Sequence, residues 1–80
     1  MIKQNDIVKL HHFLGSLKPD DTVARGENYW LLIGETGVVV SIENEKALIR
    51  FDCDVRSFGL HCHNPIANTL WISLDDIEKI

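Results

Sequence analysis

The residues best suited to chemistry lie close together: Cys53, His61, Cys62 and His63 fall within one eleven-residue stretch. Thiolate and neutral imidazole are preferred zinc ligands. The spacing suits that use poorly, because adjacent His61 and Cys62 point different ways on an extended chain. There is no Cys-x-x-Cys or His-x-x-x-His pair, and His11 and His12 would have to supply a distant ligand. The same stretch offers a Cys–His nucleophile, Cys53 or Cys62 with His61 or His63 and Asp54 as orienter. That chemistry needs a lowered thiol pKa, a base in contact and an oxyanion site. The preferred reading is a Cys53 buried at a strand end beside polar loop histidines. No metal, cofactor or catalytic residue is assigned, and a chain that is not an enzyme is expected.

The second kind of candidate is a binding surface. Carboxylates recur at Asp20-Asp21, Glu43 and Glu45, Asp52 and Asp54, and Asp75-Asp76-Glu78. They show no EF-hand spacing, so solvated turns are the default. The sharper reading is an acidic face that meets a basic partner, where opposite potentials speed association. Trp71 falls on the polar face of its strand, which suits an interface anchor and equally a plug at the barrel's end or a ring under the 53–68 loop, and Trp30 or its neighbour Tyr29 should face inward. The expected partner-binding residues are Asp20, Asp21, Trp30, Asp54 and Trp71.

Eighty residues allow one domain, spanning 1–80, with little interior to spare for a reaction centre. The hydrophobic fraction is 45% and the charged fraction 25%, which excludes a disordered tail. Eight Lys and Arg against twelve Asp and Glu give a net charge of −4, which makes nucleic acid an improbable partner. No apolar run approaches the ~18 residues of a membrane helix. The first residues hold no signal-peptide core. The chain reads as a complete cytoplasmic protein with reduced thiols.

The elements that must position these residues are strands. Val38, Val40 and Ile42 alternate with Val39, Ser41 and Glu43; Ala47, Ile49 and Phe51 alternate with Leu48, Arg50 and Asp52. This predicts a hairpin of 36–43 with 46–52, joined at Asn44-Glu45-Lys46, where Asn44 tolerates positive φ. Leu70, Ile72 and Leu74 mark another strand, and a tight turn at 74–77 feeds a last one at 77–80. An opening strand of about seven residues is expected around Ile7 to His11. Residues 29–33 read as a buried strand. Gly34 and Gly37 permit a bend or bulge. A helix over 7–17 is the weaker alternative, given Gly15 and Pro19. Two long loops remain, 13–28 and 53–68, and loops of that length are often functional.

Several segments are familiar in this order. Asp6-Ile7-Val8-Lys9-Leu10 resembles the opening strand of SH3-like barrels. Gly34-Glu35-Thr36-Gly37-Val38-Val39-Val40-Ser41-Ile42 with Ala47-Leu48-Ile49-Arg50-Phe51 resembles the glycine-bend hairpin of KOW-type and related bacterial SH3-like domains. Residues 71–80 resemble the usual closing strand, one-turn 3₁₀ connection and last strand. The resemblance implies an all-β fold, a small SH3-like antiparallel barrel of five or six short strands, and binding in place of catalysis. The chain is less basic than KOW-type nucleic-acid binders. It lacks the tyrosine pair of proline-peptide SH3 domains, so that site is not carried over. The expected function is a protein-binding module, concretely a small bacterial inhibitor of the immunity or antitoxin kind acting on a basic toxin or nuclease. The alternatives are a metal or thiol protein using Cys53, His61, Cys62 and His63, and a KOW-type nucleic-acid-binding domain.

Overall fold

Two-residue alternation of apolar side chains builds the molecule. A computed structural model describes residues 2–19, 22, 25–61 and 66–80. The strands are β1 (Ile7–Leu10), β2 (Thr36–Glu43), β3 (Lys46–Phe51), β4 (Thr69–Ser73) and β5 (Ile77–Lys79). All pairings are antiparallel and the sheet order is β4-β3-β2-β1-β5. Among the described residues there is no α-helix, so the 7–17 helix is not formed. The ladder is open: β4 and β5 are edges and do not pair with each other.

The hairpin follows its turn chemistry. Asn44 (φ 48°) and Glu45 (φ 67°) both adopt left-handed conformations. A two-residue turn of that kind matches the twist of the flanking strands. Ala47, Ile49 and Phe51 are buried together as expected. On β2 the expected faces are not kept. The register slips between Val39 and Ser41, so Val40 is an extra, bulged residue. Val39 pairs with Ile49 and Ile42 with Ala47, both on the core side, while Ser41 pairs with Leu48 on the other. One inserted residue reverses the parity of everything after it. The bulge is therefore at Val40 and not at a glycine. Gly34 makes the bend, at φ +96°. Gly37 answers to crowding, since a Cβ there would lie 2.6 Å from the Arg50 carbonyl oxygen.

Two further expectations are corrected. Residues 29–33 are not a strand; Tyr29–Leu32 form a 3₁₀ turn with Tyr29 and Leu32 buried. An apolar run this short carries no period of its own, so burial alone does not distinguish strand from turn. The opening strand has four residues and ends where the His11 and His12 amides both donate to the Asp76 carbonyl. The long loops are not bare surface either. The second contains a 3₁₀ turn, Val55–Phe58, and contributes buried Val55 and Leu60 to the core with Val8, Leu10, Val39, Ile49 and Ile72.

Candidate functional site

The β3–β4 register determines what stands beside Trp71. Leu48 lies opposite Trp71, and Lys46 opposite Ser73. Phe51 donates its amide to Asn68, and Leu74 donates its amide to Glu45. Hydrogen-bonded pairs alternate along an antiparallel ladder, so Leu70 and Ile72 bond to β3, and Leu48 and Trp71 form a non-bonded pair. Side chains approach most closely in such pairs. Leu48 is thus only 8% exposed although it lies outside the main core, while Trp71 is 36% exposed.

Trp71 also borders an open surface groove of about 460 Å³ lined by Glu43, Asn44, Lys46 and Trp71. Glu43 faces Lys46 across the hairpin. Glu45 accepts the Leu74 amide, which holds Asp75 close by in the chain. Glu43, Glu45, Asp75 and Lys46 are all exposed. Glu43 and Lys46, one charge of each sign, therefore line the groove beside the indole, and Glu45 and Asp75 lie exposed near the hairpin tip. Sequence reasoning missed Glu43, Asn44 and Lys46 as groove residues, because placing them beside Trp71 takes the β3–β4 register, which alternation within a strand does not give.

The other candidate residues are not gathered there. Asp20 and Asp21 lie outside the described residues. Trp30 is half-buried in the 29–32 turn, edge-on to Phe13 at a centroid distance of 4.8 Å. Among the described residues its buried indole N–H has no hydrogen-bond partner. Asp54 is exposed but occupied structurally, accepting the Arg56 amide at 3.1 Å as the cap of the 55–58 turn. It follows the far end of β3 from Lys46. A six-residue strand spans roughly 20 Å, so Asp54 and the groove are separate regions.

The thiol and imidazole candidates are dispersed as well. Cys62 and His63 lie outside the described residues. Burial, then the negative charge of Glu35, pushes the Cys53 thiol up from its ordinary value. That is the opposite of what an activated nucleophile needs. His11 and His12 hydrogen-bond each other through their Nδ1 atoms. His61 lies in a second concavity, about 340 Å³, with Arg56, Gly59 and Leu60. Among the described residues no three His, Cys, Asp or Glu side chains converge to hold a metal ion. No helix in this part of the chain is long and apolar enough to cross a membrane.

One carboxylate has a role that sequence reasoning missed. Asp76 is 3% exposed, and its two oxygens accept the amides of Leu14 and Gly15 at 3.1 Å each. It fastens the Phe13–Ser16 turn to the end of β5 and is not a solvated turn residue. No protein-family model, curated protein or solved structure matches the chain.

Proposed function

We propose that the chain is an SH3-like domain that works without catalysis, as a protein-binding module for a basic partner. The strand order and the 3₁₀ turn between β4 and β5 support the fold reading. One observation carries the functional reading: the exposed Trp71 borders a groove with Glu43, Asn44 and Lys46 at the hairpin tip, on a chain with a net charge of −4. Tryptophan gives large contact area at low entropic cost, and the acid excess of the whole chain favours a partner of positive charge. The concrete form is a small inhibitor of the immunity or antitoxin kind, covering the basic site of a toxin or nuclease. Affinity capture from the cells that make the protein, over a series of salt concentrations, tests this. The expected result is a stoichiometric basic protein released as salt rises. Recovery of an acidic partner, or of RNA or DNA with no protein, contradicts it.

A further inference from the structure

The second concavity, about 340 Å³, differs in charge from the Trp71 groove. Its lining among the described residues is Arg56, Gly59, Leu60 and His61, two basic side chains and no carboxylate. On a chain with a net charge of −4 that pairing is local, and the backbone produces it. The Arg56 amide donates to Asp54, the nearest carboxylate in the chain, and the Arg56 carbonyl accepts the Gly59 amide. Gly59 then turns the chain at φ +77°, a left-handed conformation that side chains rarely adopt. The turn brings His61 to the same concavity as Arg56. His61 is fixed from its other side. Its amide donates to the Gly26 carbonyl at 3.0 Å, and its carbonyl accepts the hydroxyl of buried Tyr29. The imidazole lies directly on Gly26, where an added Cβ would stand 2.0 Å from its Cδ2 and 2.4 Å from its Nε2. Gly26 has no left-handed φ, so it is the room for the ring, and not the backbone, that calls for glycine there.

We infer that this concavity binds the phosphoryl group of a small phosphate monoester. The site does not depend on the binding role proposed for Trp71. A phosphate monoester carries a charge of about −1.5 to −2 near pH 7 and offers strong acceptor oxygens. Arg56 supplies a planar fork of N–H donors that matches such a group, and an imidazole donates an N–H whether neutral or charged. A carboxylate carries a single charge and is satisfied by the fork alone, so two basic groups in one concavity favour phosphate. The volume falls at the lower end of small-molecule sites, about 300–1,000 Å³, and leaves space beyond the phosphoryl group for an organic substituent. Leu60 is buried with the core cluster and forms a fixed floor. Arg56 and His61 are both exposed, which keeps the affinity modest, roughly millimolar.

Titration of isotope-labelled protein with phenyl phosphate, followed by NMR at constant pH and ionic strength, tests the site. Benzoate and a single-stranded oligonucleotide are the comparison ligands. Phenyl phosphate is expected to give saturable shifts at the Gly59, Leu60 and His61 amides and at the Arg56 side chain. Benzoate should bind roughly tenfold more weakly. Arg56→Gln keeps the Asp54 cap, which uses the backbone amide, and should weaken phenyl phosphate roughly tenfold. Gly26→Ala tests the seat of the imidazole. The new methyl meets only ring atoms of His61 and no backbone, so the fold is kept while the ring is displaced and binding weakens. The wild-type titration stands whether or not either variant folds. Shifts that do not saturate, shifts centred elsewhere, equal affinity for benzoate, or unchanged binding in folded Arg56→Gln or Gly26→Ala overturn the assignment. Tighter binding of the oligonucleotide also overturns it, giving the surface to a nucleic-acid backbone.

Discussion

Asp76 shows how one side chain can hold a distant turn in place. Its carboxylate is buried and takes two backbone amides from residues 62 and 61 positions earlier. Asp76→Ala leaves those donors unpaired and is expected to cost about 1–3 kcal/mol. Urea denaturation measures the loss, and faster amide exchange at Leu14 and Gly15 locates it. Cys53 supplies a prediction in pH. Its thiol is raised in the folded state by burial and by Glu35. Below an ordinary thiol value of about 8.5 both states are protonated and its contribution is fully present. As pH rises further the unfolded chain ionises first, so stability falls until the folded thiol also ionises. Cys53→Ser removes that part of the alkaline decline, visible in unfolding midpoints compared between about pH 7 and pH 10. Neither role is legible from residue type. Asp75 and Asp76 are identical neighbours, yet one is exposed and the other buried. Only tertiary packing separates them.

At the scale of elements, local rules succeed where pairing is local. The β2–β3 hairpin was legible because its alternation and its positive-φ turn are encoded within sixteen consecutive residues. The bulge at Val40 was not, because it depends on which β3 residue each β2 residue meets. The 29–32 turn was misread as a strand because four apolar residues in a row satisfy burial in either form. Its importance is testable: Leu32 is fully buried, and Leu32→Ala is expected to cost about 2–5 kcal/mol by urea denaturation. Gly37 is the second elemental test. A methyl there would press on the Arg50 carbonyl oxygen at 2.6 Å and the Ile49 Cγ2 at 2.7 Å. Gly37→Ala is expected to destabilise by about 1–3 kcal/mol. A thermal midpoint equal to wild type would show that β3 can yield.

For the molecule as a whole, the core is drawn from the sheet, the 29–32 turn and the second long loop. The strand order, with three strands on one side of β1 and one on the other, puts β4 at an edge and Trp71 beside the hairpin tip. The position of Trp71 on the outer face was legible from alternation with Leu70 and Ile72. Its surroundings required the register of two strand pairs. Asp54 shows the opposite outcome, a candidate binding residue occupied in capping a turn. The proposed recognition surface is therefore centred on Trp71. Photo-crosslinking tests it most directly, with a benzophenone amino acid replacing Trp71 or, separately, exposed Lys18 in the cells that make the protein. The account predicts a covalent adduct with one basic protein from position 71 and none from position 18. The absence of any adduct at 71, or the same adduct from both positions, would contradict it.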